Sequence, residues 1–454
     1  MQFSFHTIVI PDYPNPGEYL LYNTRSQAMI KINDELKELI DHFDRPDYFY
    51  LRFRYAYEIV RLHKSGILSE NQEEDLARLK GHMDQIKHSV DTRSFFVTIL
   101  TTYACNFKCV YCFEESSRAN EKMTMACAEQ TMAWMKSQII KLSYRSLYLN
   151  FYGGEPLLNQ PVLEHIATAM KSWCESRGVE FKFMIQTNGY LLTPQLIERF
   201  LPLGLKQVRV SVDGVGEDHD KNRPLRGGGG TFDVIMNNIM ASCDKVPIGL
   251  SVGFDKGDTG PIERLLSYCR DKGIIRKLGR FIFSPIHAGL GRRGEKENIQ
   301  NTHCDCNYED ESLVEANRKI RALMTNYGLE IKSGMSTTIC PLMRENSGVT
   351  VDQQGLIYKC NSMLGHPELS VGHVKDQEYN QQHLAFVHLD VYNQCPQGCV
   401  YLPMCSGGCR FSSFLRNKNF TTPVCYKKYL DTMAPEMIKQ EYQARRSKIL
   451  AEVS

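Results

Sequence analysis

The chain has 454 residues, 42% of them hydrophobic, and carries 54 Lys and Arg against 52 Asp and Glu. That length accommodates about three domains at ~150 residues each, and the near balance of charge excludes a global electrostatic pull toward nucleic acid or an anionic membrane. The N-terminus lacks a secretion-signal pattern and no run of about 18 apolar residues occurs, so a cytoplasmic protein is expected, in which most of the sixteen cysteines read as metal ligands rather than disulfides.

In chain order, residues 1–93 hold no cysteine. They read as strands Phe5–Ile10 and Glu18–Ile32, helices from Asp34 and from Tyr55, and a helix running to about Ile86. Ser69 is its expected N-cap, with Gln72 completing a capping box. A small winged-helix-like unit fits this order, with the aromatic stretch Phe43–Tyr57 in its core or at a domain contact.

Residues 94–286 alternate apolar strands (Phe95–Thr101, Leu147–Phe151, Phe181–Gln186, Gln207–Val212, Pro247–Gly253, Arg280–Phe283) with helical windows near 124–140, 160–177, 193–202, 231–243 and 260–272. Six βα units predict an α/β fold, a partial (β/α)6 barrel whose ligands bind at the C-terminal strand ends. Residues 287–339 are a polar, glycine-containing bridge with one helix, Glu311–Tyr327, and residues 340–454 hold a second cysteine region. Cys127, Cys174, Cys243 and Cys269 fall in or beside barrel helices and read as packing thiols.

Cys105, Cys109 and Cys112 follow the first barrel strand with the spacing Cys-x3-Cys-x2-Cys. Three thiolates fill three corners of a [4Fe-4S] cubane and leave one iron open; without a fourth Cys or His nearby, the set is poor for closed structural zinc. With Tyr111 just before the last cysteine, the triad resembles the signature of the radical S-adenosylmethionine (SAM) superfamily. The resemblance implies that the open iron chelates SAM, whose reductive cleavage gives a 5'-deoxyadenosyl radical. It further implies that Gly153, Gly154 and Glu155 meet the SAM amino group, that Ser211 and Arg223 hold its carboxylate, and that Gln186, Asn188 and Asp213 line the pocket. Each strand-end element alone is also an ordinary turn; their joint order carries the reading.

Seven cysteines lie between Cys340 and Cys425, a pattern that resembles the SPASM extension of peptide- and protein-modifying radical SAM enzymes. By that resemblance Cys340, Cys360 and Cys409 bind one auxiliary [4Fe-4S] cluster and Cys395, Cys399, Cys405 and Cys425 another, three clusters in all. The first auxiliary set lacks a fourth cysteine between Cys340 and Cys360, so its remaining iron is either open to a substrate thiolate or closed by Cys304 or Cys306. Asn361 stands where sulfatase-maturating relatives place an aspartate, and an amide cannot serve as a base.

The N-terminal unit resembles precursor-recognition domains of peptide maturases, which bind a leader by strand addition. The expected function is cross-linking, by a thioether or a carbon-carbon bond, of a ribosomal precursor peptide bound through its leader. A low-potential donor such as ferredoxin or flavodoxin would supply electrons. The rivals are maturation of a protein such as a sulfatase, and a non-catalytic iron-sulfur electron carrier.

Overall fold

The computed structural model describes residues 1–89, 93–112, 121–286, 310–331, 335 and 339–453. Strands β1 (Gln2–Phe3), β2 (Thr7–Ile10), β3 (Glu18–Asn23), β4 (Met29–Asn33) and β5 (Leu68–Ser69) belong to the N-terminal unit. The remaining strands are β6 (Phe95–Leu100), β7 (Ser146–Tyr152), β8 (Glu180–Thr187), β9 (Leu205–Ser211), β10 (Ile248–Phe254), β11 (Phe281–Pro285), β12 (Val349–Val351), β13 (Leu356–Tyr358) and β14 (Gly372–His373). These nine form one sheet in the order β11-β10-β9-β8-β7-β6-β12-β13-β14. From β6 to β11 every pairing is parallel, giving the mixed α/β architecture expected from the βα alternation.

Residue chemistry explains the parallel core. Along β7, Leu147, Leu149 and Phe151 are buried while Ser146, Tyr148, Asn150 and Tyr152 are half-buried, so one face packs under helices and the other carries polar groups. The crossovers are helices Met125–Leu142, Gln160–Ser176, Pro194–Phe200, Phe232–Ser242 and Gly260–Asp271. Thr124 and Thr193 start two of them, their side chains accepting from the amides of Cys127 and Leu196, which satisfies donors the helix itself cannot. Cys127, Cys174, Cys243 and Cys269 are buried in the same core.

Three expectations are corrected. The segment Glu18–Ile32 is a hairpin, β3 and β4 turning at residues 24–28, where the Asn23 carboxamide accepts from the amides of Arg25 and Ser26. Ser69 is not a cap: it pairs with Gln2 in β5, and Asn71 caps helix Gln72–His88 by accepting from the Glu74 amide at 2.9 Å. The aromatic stretch is largely outside the core. Phe49, Tyr50, Phe53 and Tyr57 are at least 60% exposed, because two short helices, Phe49–Arg54 and Ala56–Lys64, turn only Leu51, Tyr55, Ile59 and Leu62 toward the unit's core. Within residues 340–454, β12 pairs in parallel with β6 and extends the barrel sheet.

β3 joins the two ends of the chain. Leu20 and Tyr22 pack with Tyr401, Met433 and Ile438, the last two on helix Lys427–Val453, while Leu21 on the other face packs with Leu36, Leu39 and Ile59. The Thr24 hydroxyl donates to the Val400 carbonyl at 2.5 Å, fixing the N-terminal unit to the second cysteine region.

Candidate active site and cysteine groups

The loop after β6 carries the first cysteines and is zipped to the segment after β9. The amides of Lys108 and Val110 donate to the carbonyls of Pro224 and Asn222, and Arg226 donates to Asn106. Phe107 is buried and meets Tyr190 edge to face. Asn188, after β8, donates to Asn106 Oδ1 at 2.8 Å and approaches Cys105 Sγ at 3.9 Å; the Phe107 amide also points at that sulfur, at 3.4 Å. Such donors stabilise negative charge on sulfur.

Gly153 and Gly154 are glycines because the backbone after β7 lies against this loop. Their amide neighbours confirm the contact: Gly154 and Glu155 donate to the carbonyls of Thr102 and Ala104, both at 2.9 Å. A Cβ on Gly153 would stand 2.5 Å from the Thr102 carbonyl, and one on Gly154 would collide with the carbonyls of Tyr103 and Ala104.

Glu155 is held by the backbone around it. Its side chain has no exposed surface and accepts from the Leu157 amide, the Thr187 hydroxyl and the Asn188 amide at 2.7–3.0 Å. The carboxylate therefore ties the end of β8 to the segment that follows β7. Burial raises its pKa from 4.5 to about 7.

Tyr111, Asp213 and Arg223 converge. The Tyr111 hydroxyl and Arg223 Nε both donate to Asp213 Oδ2, the latter at 2.7 Å, and the Gly253 amide donates to Oδ1 at 2.9 Å. The Arg223 guanidinium also lies over the Tyr111 ring, 5.3 Å from its centroid. Burial, with Asp213 beside it, holds the Tyr111 hydroxyl well above its ordinary pKa. His219, which sequence reasoning missed, accepts the Asp213 amide on Nδ1 at 3.2 Å; burial lowers its pKa to about 4, so the ring is neutral. Nothing in a lone His near a turn signals that role. Ser211 ends β9 opposite Ser251, and Gln186 pairs with Arg209 one residue before β8 ends; both are half-buried at strand ends.

The later cysteines fall into two groups by proximity. Cys340 senses the charge of Cys360 and Cys409, and Cys405 that of Cys395, Cys399 and Cys425. Burial pushes Cys340 and Cys405 up to about 11. Gly407 and Gly408 bend the chain between Cys405 and Cys409 with φ of 80° and 84°. The left-handed bend lets Val424, next to Cys425, donate to the Gly407 carbonyl at 2.8 Å. Gln397, in the longer Cys395–Cys399 turn, folds back to the carbonyls of Tyr392 and Cys395. Asn361 accepts from the Thr350 hydroxyl, on the strand beside β6. Cys304 and Cys306 lie outside the described residues.

Among the described residues no three His, Cys, Asp or Glu side chains surround a single ion. A cubane, unlike one zinc ion, spreads its ligands over the corners of a cluster. The donor sets fit clusters on a separate ground: Arg410, next to Cys409 in the chain, is completely buried and pairs with no carboxylate among the described residues. A buried cation needs compensating negative charge, which thiolates bound to a cluster would provide.

Residues 99–269 match the model of the radical SAM superfamily. The Fe-coproporphyrin III synthase of Methanosarcina barkeri is 25% identical over 228 residues, 50% of this chain and 52% of that protein; the chain thus spans about half the length of the curated relatives it matches first. Among solved structures, anSMEcpe with bound AdoMet and Cp18Cys peptide aligns with a TM-score of 0.61 at 17% identity, covering 77% of this chain and 99% of that one. Streptococcus suis SuiB bound to precursor peptide SuiA aligns with a TM-score of 0.52 at 15% identity, covering 94% and 99%. These last two likenesses are of fold.

Proposed function

The protein is an enzyme with a radical SAM domain at residues 99–269, and from that premise we propose that it matures a ribosomally made precursor peptide by installing a cross-link, a thioether in the first instance. The observation that carries this reading is the extent of the likeness to peptide-bound SuiB, which takes in 94% of the chain and so includes the N-terminal unit as well as the barrel. That unit offers β4, which pairs only with β3 among the described residues, as an edge for strand addition by a leader.

Cys105, Cys109 and Cys112 would hold the SAM-binding cluster. Cys340, Cys360 and Cys409 would hold one auxiliary cluster and Cys395, Cys399, Cys405 and Cys425 the other. When bound, these clusters and SAM supply a 5'-deoxyadenosyl radical that takes a hydrogen atom from the peptide, and a sink for the electron released afterwards. The chain's own part is positioning. Asp213 fixes Arg223 through Nε, aligning its guanidinium for the SAM carboxylate together with Ser211. Asn188 and the Phe107 amide support charge on the Cys105 sulfur. The backbone at Gly153 and Gly154 brings peptide groups against the cysteine loop, where the SAM amino group would sit.

A three-cysteine first auxiliary set favours the thioether, because it leaves a ligand position for the peptide's thiolate. Maturation of a folded protein is the second reading, favoured by the fold of anSMEcpe, a sulfatase maturase; Asn361 opposes it, since its carboxamide cannot take a proton. The reductant we assign is a ferredoxin or flavodoxin, and the compartment the cytoplasm; no helix among the described residues is long and apolar enough to cross a membrane.

The test is mass spectrometry of a short cysteine-containing peptide encoded beside the gene, after anaerobic co-expression with the enzyme or with a variant carrying Ala at Cys105, Cys109 and Cys112. Loss of two hydrogens per modification with fewer alkylatable thiols, absent with the variant, is expected. Loss of hydrogens with every thiol intact would replace the thioether by a carbon-carbon bond. An unmodified peptide would contradict the reading.

A further inference from the structure

The parallel strands have two faces. On β9, Val208 and Val210 lie in the core under the helices, so Gln207, Arg209 and Ser211 point the other way, into the barrel. By the same alternation Tyr148 and Asn150 of β7, and Lys182 of β8 opposite Tyr148, face that interior.

Arg209 is a cation without an anion there. Its guanidinium forms no ion pair among the described residues, and its Nε is buried with no hydrogen-bond partner. The carboxylates at the ends of these strands are already engaged. Glu180 pairs with Lys182 at 2.5 Å, Asp213 accepts from Tyr111, Arg223 and the Gly253 amide, and Glu155 from Leu157, Thr187 and Asn188. An arginine that merely reaches for solvent keeps its N–H groups wet, whereas a buried N–H is disfavoured until a partner arrives.

A second unmet group faces the same interior. Asn150 donates through Nδ2 to Thr98 at 3.4 Å, while its Oδ1 is buried and accepts nothing, which leaves an acceptor for a peptide N–H. Asn150 pairs with Met184, and Arg209 with Gln186, two residues further along β8. With strands ~4.8 Å apart and ~3.3 Å per residue, the two positions are on the order of 10 Å apart, a span that about three residues of extended peptide cover. Toward the start of the strands Phe96 is 54% exposed and meets the Tyr148 ring, 5.5 Å between centroids, an apolar approach to the interior.

We propose that Arg209 anchors an anion subsite inside the barrel, where its guanidinium takes a carboxylate of the peptide substrate. The proposal rests on the reading that a peptide is the substrate, and it adds the chemical class accepted: a peptide with a carboxylate close to the residue that is modified. Arg209 precedes Ser211 by two residues on one face of β9, so the subsite lies next to the position assigned to SAM. The carboxylate belongs to an Asp or Glu side chain or to the peptide's C-terminus; either presents the planar pair of oxygens that a guanidinium matches.

The probe is the synthetic form of the peptide encoded beside the gene. With it goes a set in which each Asp is changed to Asn, or each Glu to Gln, one at a time, and a form with an amidated C-terminus. Modification of each by reconstituted, dithionite-reduced wild type and Arg209→Gln is followed by mass spectrometry. For the parent peptide, Arg209→Gln is expected to raise KM about ten- to a hundredfold, the range of one charge-assisted hydrogen bond. One neutralised peptide should raise KM by a similar factor with wild type and show no further rise with Arg209→Gln; whether that peptide is a side-chain variant or the amidated form identifies the source of the carboxylate. An unchanged KM in Arg209→Gln, or losses that multiply for every peptide, would overturn the proposal. Should Arg209→Gln fail to load iron, Arg209→Lys takes its place. It keeps the charge and is expected to discriminate against the same neutralised peptide as wild type does; equal KM for all peptides would overturn the proposal. A parent peptide left unmodified by wild type that still forms 5'-deoxyadenosine would instead overturn the peptide reading itself, and the proposal with it.

Discussion

Asp213 collects three donors on one buried carboxylate: Tyr111, Arg223 and the Gly253 amide. Replacing it with Asn leaves Arg223, only 14% exposed, without its anion, a change that costs about 3–5 kcal/mol in comparable buried pairs. We expect Asp213→Asn to lower the thermal midpoint and raise the KM for SAM; a variant with unchanged KM would refute the alignment of Arg223 by Asp213. Glu155 supplies a pH signature. Its folded-state pKa of about 7 lies above the ordinary 4.5, so the folded chain holds an extra proton between those values. The associated stability is complete below pH 4.5 and is lost as pH rises through 7, amounting to about 3 kcal/mol. Unfolding of wild type between pH 5 and 8 should show this decline, and Glu155→Gln should flatten it; parallel declines in both proteins would contradict the assignment. The sequence makes these residues visible as members of strand-end motifs. Their partners are invisible there: Tyr111 and Asp213 meet across a loop and three strands, and His219 contributes through the backbone amides of Asp213 and Arg223.

At the scale of elements, apolar runs made β6 to β11 and their helices readable to within a few residues; burial is one-sided along β7 and β9, while β10 is buried on both faces over Ile248–Leu250. Strands β12, β13 and β14 have two or three residues each. That is too short for a period, and they exist because β6 offers a paired edge. The helix start near residue 70 failed for a related reason: Ser69 matches a capping box locally, but pairing with Gln2 takes its backbone for a strand. The corrected cap is testable by chemical unfolding. Asn71→Ala should destabilise by about 1 kcal/mol. Ser69→Ala, which removes a buried hydroxyl with no partner, should cost nothing or stabilise slightly; the reverse order would restore Ser69 as the cap.

At the scale of the molecule, the chain closes on itself. The N-terminal sheet packs on helix Lys427–Val453, helix Gln72–His88 packs beside Cys340, Cys395 and Cys399, and β12 binds the barrel's first strand. A peptide held by the N-terminal unit would therefore be held by the same body that carries both cysteine regions. This arrangement could not be read from sequence, because the contacts join positions hundreds of residues apart through surfaces that have no local pattern. The central claim is that the triad after β6 cleaves SAM. Its most direct measurement is 5'-deoxyadenosine formed by the anaerobically reconstituted, dithionite-reduced chain, beside the variant with Ala at Cys105, Cys109 and Cys112. Deoxyadenosine from wild type, none from the variant, and iron retained in the variant by the later cysteines are predicted. Deoxyadenosine from the variant at the wild-type rate, or none from either protein, would contradict the account.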